Sequence, residues 1–319
     1  MSDQERDCQA SASRDCPAAP GCPAMERIPA RASIIGADFS IRRALPSRQR
    51  RMVGAWCFLD QAGPVSYGAG QGLHVGPHPH IGLQTFTWMI EGEILHRDSL
   101  GFEQIVRPGQ VNLMTAGRGI VHAEDAATDA PGRLHAAQLW IALPDAERHR
   151  EPAFAHYPTL PVLESGNFTV TVLAGTGFGQ TAPVQTFSPL VGMDLACAGP
   201  ARTRVPLNPA FEHAVLVLSG ALDVAGETLE PGTLLYLGQA RSEIALRSQA
   251  AARLLLVGGE PFGEEILLWW NFVARSQEEM IGATADWNSG RRFGTVSGSP
   301  SPRLVAPELA GLNLGRRAR

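Results

Sequence analysis

The stretch Gly76–Glu93, GPHPHIGLQTFTWMIEGE, decides the fold. Its second half alternates. Phe86, Trp88 and Ile90 fall on one side and Thr85, Thr87 and Met89 on the other, the period-two pattern of a half-buried strand. Gly92 marks a turn into EILHRD, Asp98–Gly101 supply another, and VRPGQVNLMTAG starts at a Pro-Gly turn. RLHAAQLWIALP is a further strand closed by Pro144. Beyond it, Glu151–Leu163 is broken by prolines and predicts an interdomain connection. Strand-like runs resume at NFTVTVLAG and continue through HAVLVLSGALDVAG and TLLYLG to ARLLLVGG. Short strands separated by Gly or Pro predict antiparallel sandwiches or barrels.

The two halves echo each other. IEGE followed by RPGQVNLMTAG parallels LSGA followed by EPGTLLYLGQ. Two copies of one β-barrel module fit both this spacing and the length of 319 residues. One helix stands out near the end. Ser276 and Glu279 form a capping box, Met280, Ala283, Thr284 and Trp287 follow at helical spacing, and Gly290 can stop it.

Composition excludes several chemistries. All 27 basic residues are Arg, so no Schiff-base, pyridoxal-phosphate or P-loop lysine exists. A net charge of −4 with 18% charged residues argues against a dedicated nucleic-acid binder. No secretory signal and no membrane-length apolar run is found, so a cytoplasmic location is expected. Of five cysteines, Cys8, Cys16 and Cys22 lie in a Pro/Ala/Ser-rich segment read as a disordered tail, and the odd count and wide spacing argue against a disulfide framework. GTGFG at Gly175–Gly179 lacks dinucleotide-loop spacing, and no Gly-x-Ser-x-Gly element supports a hydrolase.

The chemistry concentrates in two pairs. His78 and His80 are one residue apart, so on a strand both imidazoles face one side. Pro77 and Pro79 stiffen the backbone around them. In GRGIVHAE, His122 and Glu124 repeat the same spacing. Either pair alone reads equally as a turn or a solvated strand end. If the two strands are neighbours, three imidazoles and a carboxylate converge, a donor set for a first-row transition metal with two positions open on an octahedral ion.

These motifs, Gly72, then His78-x-His80, then the later Gly and His, resemble those of the cupin superfamily. Together with IRRALP, QLWIALP, VLAG and GEPFGEEI they resemble the pirin family within it, from about residue 41 to 294. The resemblance implies an all-β chain of two cupin (jelly-roll-like) barrels packed together, with one C-terminal helix and flexible tails. The expected division is residues 1–32 as disordered tail, 33–150 as a barrel with the metal site, 151–262 as a barrel without metal, and 263–319 as helix and closing tail. It also implies that His78, His80, His122 and Glu124 bind one divalent metal. Fe(II) is the expected ion, and Mn, Co, Ni, Cu or Zn are accepted by the same donors. Gln84 stands where pirins usually carry Glu, which leaves the ligands intact and alters the hydrogen bonding around them.

Two functions follow from the resemblance. The first is a quercetin 2,3-dioxygenase-type oxygenase, taking a small aromatic substrate such as a flavonol and dioxygen. Glu124 would then be catalytic as the base for the 3-hydroxyl, with Phe86, Trp88 and Trp140 as candidate pocket walls. The second is a metal- or redox-dependent regulator that binds a transcription factor or metabolic enzyme, with the arginines of residues 42–51 as the surface for an acidic partner. His74 reads as a rim residue, His96 as a strand-face residue, His135, His149 and His156 as ordinary polar positions, and His213 as isolated. Gln138 and Trp140 share a strand face that either approaches the pocket or packs in the core.

Overall fold

Alternating apolar residues between Gly and Pro turns produce strands, and the strands assemble into two sheet sandwiches of matching design. The structure, a computed structural model, describes residues 11–12, 25–35 and 39–309. In the first unit a seven-stranded sheet runs in the order Ala153–Tyr157, Val111–Thr115, Leu83–Glu91, Gly132–Ala142, Trp56–Tyr67, Phe39–Leu45, Arg31–Ile35. A four-stranded sheet faces it, in the order His74–His80, Ile120–Ala126, Ile94–Asp98, Glu103–Val106. The second unit repeats seven strands against four, with Glu26–Pro29 on one edge of its larger sheet, paired to Thr233–Gly238. This is the expected all-β, two-barrel chain.

The two large sheets meet face to face. Phe86, Trp88, Leu139 and Ile141 of the first pack with Leu216, Leu218, Leu255 and Val257 of the second in one apolar core. Polar groups cross the same interface. The Trp56 indole N–H bonds the carbonyls of Val191 and Gly258, and Trp88 Nε1 donates to Asp194 at 3.1 Å. Phe86 and Trp88 are therefore not walls of a site inside the first barrel, because the face opposite Thr85 and Thr87 is the one turned toward the second barrel.

Three further expectations change. The anticipated tail through residue 32 is too long, since Glu26–Pro29 and Arg31–Ile35 are strands, and Ile28 is fully buried. The connection at 151–163 contains a strand, Ala153–Tyr157, that extends the first sheet by pairing with Val111–Thr115. The arginine patch at 42–51 is not one surface. Arg43 makes a buried bidentate ion pair with Asp60, and Arg50 is buried against the Tyr236 ring. Cys57 and Cys197 are buried and free, while Cys8, Cys16 and Cys22 lie outside the described residues.

The C-terminal part closes on the first barrel. A hairpin, Leu267–Trp269 with Phe272–Ala274, lies against the strand His74–His80 and contacts it through Ile81 and Phe272. The helix Gln277–Asn288 follows. Ser276 caps it by accepting from Glu279 N–H, and Met280, Ala283, Thr284 and Trp287 are its buried face, as their spacing predicts. Beyond it, Leu304 N–H bonds Pro77 O at 2.9 Å. No helix among the described residues is long and apolar enough to cross a membrane.

Candidate metal centre

Antiparallel pairing of Ile120–Ala126 with His74–His80 sets His122 directly opposite His78 and Ile120 opposite His80. The i, i+2 spacing then aims His78, His80 and His122 into the barrel interior. All three are at most 1% exposed, and their ligand nitrogens lie within 4.8 Å of one another. The register slips between His122 and Glu124, a β-bulge of the kind that re-aims a side chain. Glu124 is buried one pleat further on, opposite His96, and lies outside the group of three mutually close donors.

What stands behind each ring fixes its tautomer. His78 Nδ1 faces Gly76 O at 2.9 Å and His80 Nδ1 faces Asn271 O at 2.9 Å. A carbonyl only accepts, so both Nδ1 atoms carry the proton and both Nε2 atoms present lone pairs. His122 is set by a longer chain. Asp98 accepts from His96 Nε2 at 3.0 Å, so His96 carries its proton there, and His96 Nδ1 accepts from His122 Nδ1 at 3.3 Å. The Asp98 carboxylate is itself held by the backbone N–H groups of Leu100 and Phe102. His122 Nε2 is thus a third lone pair.

The Nε2 atoms of His80 and His122 are 3.1 Å apart, and His78 Nε2 has no hydrogen-bond partner. Lone pairs so close repel each other unless a cation lies between them. For metal–nitrogen bonds of about 2.1 Å, adjacent ligand nitrogens on one ion stand roughly 3 Å apart, which this spacing fits. Burial, reinforced by repulsion among the rings, holds His78 and His122 well below the ordinary histidine range, and burial takes His80 to about 3. The rings stay neutral, as metal ligands must be. The three histidines can therefore hold a metal ion.

The other sequence candidates scatter. His74 is on the rim, part-exposed and bonded to Asp125. His156 pairs with Asn112 Oδ1, and His135 contacts Gln61. His213 is buried in the second barrel. Gln84 faces away from the triad, donating to Thr115 and to Gln185 O. Trp140 lies edge-on to His80 with ring centroids 5.1 Å apart, and stacks on Phe58. Sequence reading underrated His96, although Ile94, His96 and Asp98 alternate inward, and it missed the carbonyls of Gly76 and Asn271, which carry no side-chain signal.

Fold and site together define a two-barrel cupin with a buried histidine centre in its first barrel. Residues 38–141 match the family model Pirin and residues 192–294 match the Pirin C-terminal cupin domain. The chain is 51% identical over 310 residues to a Pseudomonas aeruginosa protein named "Putative quercetin 2,3-dioxygenase PA1205", covering 97% of this chain and 98% of that one. It is 35% identical over 261 residues to a "Pirin-like protein" of Caulobacter vibrioides, covering 80% and 90%. The crystal structure of a quercetin 2,3-dioxygenase from Acinetobacter baumannii matches with a TM-score of 0.88 at 51% identity, covering 90% of this chain and 96% of that one. The chain belongs to the pirin family.

Proposed function

We propose that this protein is a quercetin 2,3-dioxygenase-type enzyme acting on a flavonol or a similar enolisable aromatic. The observation that carries the reading is the convergence of three buried Nε2 lone pairs, each held from behind. His78, His80 and His122 would hold one divalent first-row ion, Fe(II) by preference, with Glu124 as a fourth ligand. Such an ion supplies Lewis acidity and one-electron chemistry to dioxygen and an enolate oxygen.

The chain's own contributions are simpler. Burial keeps the three imidazoles neutral and excludes competing water. Glu124 takes the proton of the substrate 3-hydroxyl, a role that needs a carboxylate within hydrogen-bond reach. Trp140 offers an aromatic wall beside His80. One flavonol and one dioxygen are consumed, both oxygen atoms enter the ring-opened ester, and carbon monoxide leaves. The shared identity with proteins named for this activity supports the reading.

Iron-loaded protein is mixed with quercetin in air. Flavonol absorbance should decay with one carbon monoxide released per flavonol. Persistence of the absorbance with each of iron, manganese, cobalt, nickel and copper would overturn the proposal.

A further inference from the structure

Two residues of the C-terminal part run against the preference of their own backbone. Gly282 stands in the middle of the helix Gln277–Asn288, where only proline is less favourable. Packing does not require it, since a Cβ at this position would meet nothing within 4 Å. Arg292 has φ +72°, a left-handed conformation that suits glycine. Of the six non-glycine residues with such a backbone among the described residues, it alone is charged.

Both residues line the same cavity. It measures about 250 Å³ and lies between the helix and loops of the first barrel. At roughly 30 Å³ per water molecule this is room for about eight waters, or one small organic molecule. Ile81 and Val273, both at most 5% exposed, supply its apolar part. On the helix, Glu279, Gly282 and Asp286 follow at i, i+3 and i+7, and this one stripe lines the cavity. A larger side chain in the middle of the stripe would occupy the space.

The charges around the cavity divide into a closed set and an open pair. Arg148 donates to Asp145 at 2.6 Å and to Glu279 at 2.8 Å, and the other Glu279 oxygen accepts from the Arg275 backbone N–H. Asp286 and Arg292 are less well served. The Asp286 carboxylate, 32% exposed, accepts no hydrogen bond among the described residues, and Arg291 and Arg292 approach it only to 3.4 and 3.8 Å. Arg292 Nε donates to Arg118 O at 2.6 Å, which anchors the guanidinium and leaves its two terminal nitrogens without a hydrogen bond among the described residues.

A lone anion would satisfy Arg292 while facing Asp286, and a lone cation would do the reverse. A ligand carrying both charges on neighbouring atoms satisfies both, and Ile81 and Val273 receive its apolar part. We propose that this cavity binds a free α-amino acid with an apolar side chain, its carboxylate on Arg292 and its ammonium on Asp286. The site is separate from the histidine centre and does not depend on the reaction proposed there. Gly282 keeps the cavity open and the left-handed turn brings the Arg292 guanidinium to it, so one ligand accounts for two locally unfavourable choices.

Titration calorimetry of the full-length protein at neutral pH with alanine, valine, leucine, methionine and phenylalanine tests the site. At least one of them should bind, one molecule per chain. For the tightest binder, the amide, which lacks the carboxylate, and the deaminated acid, which lacks the ammonium, should each bind at least tenfold more weakly. Asp286→Asn and Arg292→Gly should weaken binding by as much. Gly282→Leu fills the cavity and should abolish binding while melting at or above wild type, because leucine favours the helix. The melting temperature separates loss of the site from loss of the fold. Should Gly282→Leu not fold, Asp286→Asn decides, since it removes the charge and keeps the shape. The proposal is overturned if none of the five binds at millimolar concentration, or if the deaminated acid binds as well as its amino acid. Full affinity in folded Asp286→Asn or Gly282→Leu protein overturns it as well.

Discussion

Replacing His78 and His122 together with Ala removes two of the three converging lone pairs. Metal analysis of the doubly substituted protein should show a fall from stoichiometric content to background, with the far-ultraviolet spectrum unchanged. The residues behind His122 should matter by degree. Asp98→Asn or His96→Phe frees the tautomer of His122 and should weaken metal affinity roughly 10–100-fold, read by competition with a chromophoric chelator. Affinity equal to wild type would show that the chain His122–His96–Asp98 does not hold the ligand. At this scale the triad was legible, because a strand turns i and i+2 to one side. The supports were not. They depend on which strands become neighbours, and a one-residue change of register would send His96 to the opposite face.

Among the elements, the C-terminal hairpin backs the histidine strand. Gly82 has φ +69°, and a Cβ there would lie 2.1 Å from Val273 O. Gly82→Ala should destabilise the protein by about 2–3 kcal/mol, seen as a lowered melting temperature. Because Asn271 O in the same hairpin orients His80, metal affinity should fall with it. A variant melting like wild type would mean the hairpin yields without consequence. The hairpin's partner was invisible in the sequence, where LLWWNFVA reads only as apolar. The helix after it was fully legible, since its cap and its buried face are local features. The period-two alternation of Leu83–Glu91 marks the strand, but alternation alone does not say which face is inside. The larger core lies between the barrels, and that is where Phe86 and Trp88 went.

For the whole molecule, the interface between barrels holds a pH-sensitive group. Burial raises Asp194 to about 6, against the attraction of Arg253 and the hydrogen bond from Trp88. The folded protein therefore binds a proton more tightly than the unfolded chain does. The stability that Asp194 contributes is full below about pH 4 and is lost as pH rises through about 6. Asp194→Asn keeps an oxygen for Trp88 and never ionises. At pH 8 it should raise the melting temperature by a few degrees, a gain on the order of 2 kcal/mol, and at pH 4 the difference should vanish. A gain of equal size at both pH values would contradict this account. Two barrels were legible from the repeated turn spacing, whereas the way they are stitched together was not, because Ile28 in a Pro- and Arg-flanked segment carries no signal of its partner.

That stitching has a consequence for how the chain is made. Glu26 finds its partner at Tyr236, about 200 residues later, while Arg31–Ile35 pairs with the neighbouring Phe39–Leu45. On the ribosome, the segment Glu26–Pro29 emerges before either barrel and must wait until most of the protein has been synthesised. It then covers an edge that the second barrel cannot cover itself. Separately expressed halves would each lack something: the C-terminal half a bordering strand, and the N-terminal half the core that its large sheet shares. The two barrels, though copies of one design, thus share both a core and a bordering strand.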